Sequence, residues 1–126
     1  MSPPPVEVDP VELVAALLRR DRGMRCALDR RSGEVHRSID ECDPEEDDRR
    51  FDDLGRYAPI DALGPEASRA FWERVAIARF SGASGLYQPL SDASSEERAR
   101  LLEVVRDVTR EWLADRAIEA SLRARE

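Results

Sequence analysis

Ser94-Ser95-Glu96-Glu97-Arg98-Ala99-Arg100-Leu101-Leu102-Glu103-Val104-Val105, running on through Val108, Trp112 and Leu113 toward Leu122, is the stretch that decides the fold. Ser94 and Glu97 form an S-x-x-E capping box, in which hydroxyl and carboxylate satisfy two backbone donors that a helix start leaves without partners. Leu101, Val105, Val108 and Trp112 recur at helical spacing, with Leu102 and Leu113 beside them, so one face is apolar. The opposite face alternates in sign through Glu96, Arg100, Glu103, Arg106, Asp107, Arg110 and Glu111. The spacing predicts one amphipathic helix over residues 94–122, with the rest of the chain packed on its stripe.

Upstream, residues 86–90 read as an apolar connector stopped by Pro89. Gly64-Pro65-Glu66 opens another helix, whose stripe is Ala67, Phe71, Val75 and Ala78 with Trp72 at its side. It is expected to end near Phe80, where Ser81-Gly82-Ala83-Ser84-Gly85 breaks the pattern. Arg56-Tyr57-Ala58-Pro59-Ile60 reads as a short strand, and Pro59, which has no ladder donor, assigns it to a sheet edge. Residues 24–28 and 34–39 read as a hairpin, Met24, Cys26 and Leu28 alternating on one side, with Val35 and Ile39 facing the core. Its loop is Asp29-Arg30-Arg31-Ser32-Gly33, the glycine standing where the return needs positive φ.

The first helix starts at Asp9-Pro10-Val11-Glu12, an N-cap followed by a proline in the first turn. Val8 and Leu13 have the spacing of a hydrophobic staple. The helix is expected to reach about Asp21, burying Leu13, Val14, Leu17 and Leu18, with Gly23 as its left-handed cap. The expected class is α+β: a helix, three short antiparallel strands, then two helices, the last long and C-terminal. Residues 1–8 form an extended or disordered lead-in, 9–122 a single domain with an acidic loop at 40–53, and 123–126 a frayed end.

A chain of 126 residues with 41% apolar residues suffices for one core without metal or disulfide staples. Cys26 and Cys42 fit no zinc or disulfide pattern. The longest apolar run, 13–18, is far short of a membrane span, and the N-terminus lacks the features of a secretory signal, so the expectation is a cytoplasmic bacterial protein without membrane contact. All twenty basic residues are arginine, a preference that GC-rich codons produce.

Charge is unevenly placed. Residues 40–53 hold nine carboxylates and two arginines, a net −7 that equals the charge of the whole chain. Residues 19–37 hold seven arginines against Asp21, Asp29 and Glu34, a net +4. The candidate interaction surface comprises Asp43, Glu45, Glu46, Asp47 and Asp48 of the acidic loop, Arg30 and Arg31 of the hairpin, and Trp72, for which core packing is the competing reading. The acidic loop fails the calcium-loop pattern, having neither its turn glycine nor its spacing, so no metal is expected. Phosphate-cradling glycine motifs and the nucleophile elbow are absent, and no cofactor is expected. His36, the only histidine, alternates away from Val35 and is expected to be exposed rather than catalytic.

The expected role is a non-catalytic protein-interaction or regulatory module with a protein partner. The alternative is a nucleic-acid-binding accessory protein using the arginine-rich hairpin, against which stands a sequence pI near 4.9. Self-association through the last helix is a further expectation, since Ile118 and Leu122 lie beyond the core's reach on a straight rod.

Three features together resemble the bacterial uncharacterised protein family 0158: the hairpin Leu28-Asp29-Arg30-Arg31-Ser32-Gly33-Glu34-Val35, the strand Arg56-Tyr57-Ala58-Pro59-Ile60, and Glu111-Trp112-Leu113 followed by Ile118-Glu119. An acidic stretch between hairpin and third strand belongs to the same likeness, which covers residues 11–119. The chain departs from the family before the last helix, where residues 81–90 lack the family's basic aromatic stretch. Glu97, Arg98, Ala99 and Arg100 likewise stand where aromatics are the pattern. The resemblance implies no catalytic residue.

Overall fold

The computed structural model describes residues 6–19, 24–37, 53–83 and 85–123. Its centre is the first helix, α1 (Pro10–Leu17). Asp9 caps it by accepting the Val11 N–H at 3.0 Å, and Pro10 occupies the first turn, where no intrahelical donor is needed. Pro10, Val11 and every residue from 13 to 17 are buried, so α1 is enclosed on nearly all sides. The expectation of one inner face undercounted it by Val11, Ala15 and Ala16. The helix stops at Leu17, short of Asp21, because Arg19 closes its end. That guanidinium donates to the carbonyls of Ala16 (2.7 Å), Ile60 (2.8 Å) and Met24 (3.1 Å), tying the helix end to the segments that flank the sheet. Gly23 lies outside the described residues.

Three strands form an antiparallel sheet of order β3-β2-β4: β2 (Cys26–Asp29), β3 (Val35–Arg37) and β4 (Tyr57–Pro59). Leu28 stands opposite Val35 on one side and Ala58 on the other, and β2, the central strand, is buried throughout. Pro59 lies on an edge strand, as its missing N–H requires.

The second helix, α2 (Pro65–Val75), ends earlier than Phe80 because Ala76 takes a left-handed conformation (φ 58°); a 3-10 turn, Ala78–Phe80, follows. Of residues 86–90, read as a connector, 87–90 belong instead to α3 (Tyr87–Asp92), with Leu86 at its N-cap. Pro89 does not stop that helix, because it lies in the first turn, where its missing donor costs nothing.

The long helix α4 (Ser95–Asp115) carries the expected capping box: Ser94 N–H donates to Glu97 Oε1 at 2.9 Å, and Glu97 N–H to Ser94 Oγ at 3.3 Å. Leu101, Val105, Trp112 and Leu113 are buried against α1 and α2. Thr109 joins them fully buried, while Val108 is only half-buried. Burial of a hydroxyl is tolerated there because Thr109 donates to the Val105 carbonyl at 2.8 Å.

The rod does not reach Leu122. Ala117 (φ 54°) turns the chain, with Ile118 N–H donating to Leu113 O at 2.9 Å and Ala117 N–H to Ala114 O at 3.1 Å, a Schellman arrangement without glycine. The chain then returns as β5 (Ala120–Leu122), which pairs in parallel with β1 (Val6–Val8). The expected lead-in over residues 1–8 is thereby corrected from residue 6 onward: Val8 is fully buried and β1 is part of the fold. Ile118 and Leu122 pack against the chain's own core, so the reason for expecting a second subunit to cover them no longer holds. Among the described residues no helix is long and apolar enough to cross a membrane.

Candidate interaction site

The hairpin loop is built around Asp29, the last residue of β2 and only 2% exposed. Its Oδ1 accepts the Arg31 N–H at 2.9 Å and the Ser32 N–H at 3.4 Å, while its carbonyl accepts the Gly33 N–H at 2.8 Å. Gly33 has φ 78°, as the return requires. The other carboxylate oxygen, Oδ2, faces Arg56 Nη2 at 3.3 Å and His36 Nε2 at 3.6 Å. Burial pushes the Asp29 pKa up, but the N–H groups of Arg31 and Ser32 and the Arg56 guanidinium outweigh it, so the carboxyl is held below its ordinary range. The result is a stiff loop on an ionised, buried carboxylate.

A second turn stands beside it. Asp53 accepts from Arg56 N–H (3.1 Å) and Tyr57 N–H (2.8 Å) through its carbonyl, and from Gly55 N–H (3.1 Å) through its side chain. The two turns are joined where Arg30 N–H donates to Arg56 O at 2.7 Å, one step beyond the Asp29–Tyr57 pair of the sheet. Both therefore project past the same end of the sheet. They carry Arg31, exposed; Arg30 and Arg56, half-buried; and Leu54, the most exposed large apolar side chain described, at 62%. Arg56 lies over the Tyr57 ring at 5.3 Å, which fixes its plane.

The remaining candidates are distributed differently. Asp43, Glu45, Glu46, Asp47 and Asp48 lie outside the described residues, as do Arg20 and Arg22. Trp72 is not a surface residue: it is 3% exposed, edge-on to Phe71 at 4.9 Å and to Phe80 at 6.2 Å. The apolar face of α2 is wide enough to turn Phe71, Trp72 and Val75 inward together, which corrects its assignment to the interaction surface. His36 is half-buried rather than exposed, its ring edge-on to Tyr57 at 5.8 Å. Arg37 is drawn into a cluster with Glu12 (3.2 Å) and Tyr87 (3.3 Å), and Tyr87 OH donates to Glu12 at 2.8 Å. Arg19 is committed to carbonyls. Of the hairpin arginines, Arg30 and Arg31 thus stay at the tip.

In chemical terms the tip offers an exposed leucine on one turn and the arginines Arg30 and Arg31 on the turn joined to it. The Asp29–His36 separation exceeds a hydrogen bond. Burial pushes the Cys26 thiol up against the pull of Arg19 and Arg37, which keeps it protonated. Among the described residues, no group of three His, Cys, Asp or Glu side chains is arranged to hold a metal ion. Leu54 escaped the sequence reading; its only signal is a lone apolar residue in Asp53-Leu54-Gly55, and nothing local says that the turn sits beside the hairpin.

No family model matches the chain, and no curated protein or solved structure matches it.

Proposed function

We propose that the protein is a non-catalytic interaction module that docks a protein partner at the hairpin tip, with Leu54 as the apolar anchor and Arg30 and Arg31 pairing with the partner's carboxylates. The observation that carries the reading is the display of Leu54 at 62% exposure by a hydrogen-bonded turn tied to the arginine loop. Single exposed leucines are ordinary on protein surfaces. The backbone of this one is held by the hydrogen bonds of its turn, so little loop entropy is lost when it is covered. Arginine beside an apolar anchor is also the composition of interface centres.

The non-catalytic part rests on how the polar groups are used. Asp29, Arg56, Glu12, Arg37 and Tyr87 staple elements to one another, and the buried thiol stays neutral. The same use of Arg19 and Arg37 leaves fewer cations for phosphate, which favours a protein partner over nucleic acid. We place the protein in the bacterial cytoplasm, where a buried free thiol such as Cys26 is at home. The likeness to uncharacterised protein family 0158 belongs to the same proposal, and two of the stretches that carry it, 28–35 and 56–60, build this tip and its supporting strands.

Affinity capture with purified full chain tests the reading. Wild type is compared with Leu54→Asp, Arg31→Glu and the control Arg100→Glu on exposed α4, after equal melting temperatures are established. A protein retained by wild type and the control but lost with both tip variants supports it. Retention by all four proteins, or loss with the control as well, overturns it.

A further inference from the structure

The parallel pairing of β1 and β5 dictates which backbone groups point where. Arg123 N–H donates to the Val8 carbonyl at 2.8 Å, and Val8 stands opposite Leu122. Along an extended strand, successive residues turn their N–H and C=O groups to alternate sides. Ser121 and Arg123 therefore face β1, while Ala120 and Leu122 face away from it. On β1 the same alternation turns Glu7 outward, and there the hairpin loop covers it: a Cβ on Gly33 would lie 2.1 Å from the Glu7 carbonyl oxygen. The outer edge of β5 has no strand against it among the described residues.

A groove of about 610 Å³ runs along that edge. All six residues from 118 to 123 line it, whereas a groove over one face of a strand would meet alternate residues only. The facing wall is α4, through Arg106, Arg110, Leu113 and Ala114. Arg110 is paired with Asp107 at 3.1 Å and Arg123 with Glu7 at 2.9 Å. The Arg106 side chain makes no hydrogen bond or ion pair among the described residues. Glu119 is the single carboxylate of the lining; with Arg110 and Arg123 each paired outside it, Arg106 is the guanidinium left for a carboxylate in a groove whose interior is apolar.

We propose that this edge accepts a third strand from a partner: an extended segment bearing carboxylate side chains, hydrogen-bonded to the outward backbone of Ala120 and Leu122 and paired with Arg106. Strand addition supplies affinity through the main chain and selectivity through the flanking side chains. The site shares no residue with the hairpin tip and stands or falls separately from it.

Labelled peptides of alternating glutamate and valine, and of alternating lysine and valine, titrated against the full chain by fluorescence polarisation, test the proposal. The expected result at about 50 mM salt is at least about tenfold tighter binding of the glutamate peptide, weakening at higher salt. Arg106→Glu is expected to abolish that preference with an unchanged melting temperature; Arg106→Gln serves if the reversed charge prevents folding. With the glutamate peptide bound, the amides of Ala120 and Leu122 are expected to exchange more slowly. Equal affinity for both peptides, no binding at about 1 mM peptide, or a glutamate preference that survives the loss of Arg106 overturns it. Protection of those amides that rises with protein concentration alone also overturns it, and assigns the edge to a second copy.

Discussion

Gly33 and Glu7 are in backbone contact: a methyl group built on Gly33 would approach the Glu7 carbonyl oxygen to 2.1 Å and the Glu7 carbonyl carbon to 2.9 Å. The hairpin loop of the antiparallel sheet is thereby pressed onto the outer edge of the parallel pair, and the two small sheets support each other. The two-stranded parallel pair alone is below the size at which strands are stable in water.

Gly33→Ala meets both the backbone clash and a left-handed φ of 78°, which by itself costs roughly 1–2 kcal/mol for a residue with a Cβ. The expected loss is at least about 3 kcal/mol in urea unfolding. Faster exchange of the Arg123 amide, which donates to Val8, is expected as β1 and β5 separate. An alanine variant with the wild-type urea midpoint and unchanged Arg123 protection would contradict the contact.

Ala117 presents the opposite case. It holds φ 54° at the end of α4, where glycine is the usual occupant. Ala117→Gly removes left-handed strain at the expense of a more flexible unfolded chain, and a net gain of about 0.5–1 kcal/mol is expected, or roughly 2–4 °C in melting temperature. Differential scanning calorimetry reads it directly. A glycine variant that melts below wild type would show that the turn is not strained.

Asp29 links stability to pH. Its folded carboxyl lies below the ordinary value of 3.8, so the stabilisation it provides is complete above that value and is lost as pH falls through the lower, folded one. Asp29→Asn keeps the acceptor for the loop N–H groups but removes the charge facing Arg56. A loss of about 1–3 kcal/mol is expected near pH 7. Urea midpoints of the two proteins are expected to converge as pH falls below the ordinary carboxyl value of 3.8 and through the lower, folded one. A gap of constant size across that range would mean that the charge of Asp29 contributes nothing.

The features legible in the sequence are those with local chemistry. Ser94 with Glu97, Asp9 with Pro10, Gly33 in its loop and Pro59 on its edge each act over a few residues, and each stands where the pattern places it. The misplaced ends of α2 and α4 share one cause: Ala76 and Ala117 adopt left-handed conformations that sequence reading reserves for glycine. The β1–β5 pair joins opposite ends of the chain, and no local period encodes it. Burial of α1 on nearly all sides follows from α4 and the sheet packing around it, which a helical period cannot specify. At the tip, Arg30 and Arg31 were legible from charge, whereas Leu54 depends on the hydrogen bond from Arg30 to Arg56 that places it.

Site-specific photo-crosslinking in living cells addresses the hairpin tip most directly. A photoreactive phenylalanine analogue replaces Leu54 in one strain and Arg100 in another, each with and without Arg31→Glu. Docking at the tip predicts a discrete protein adduct from position 54 that Arg31→Glu removes, and none of that mass from position 100. No adduct at position 54, or the same adduct from both positions, would contradict it.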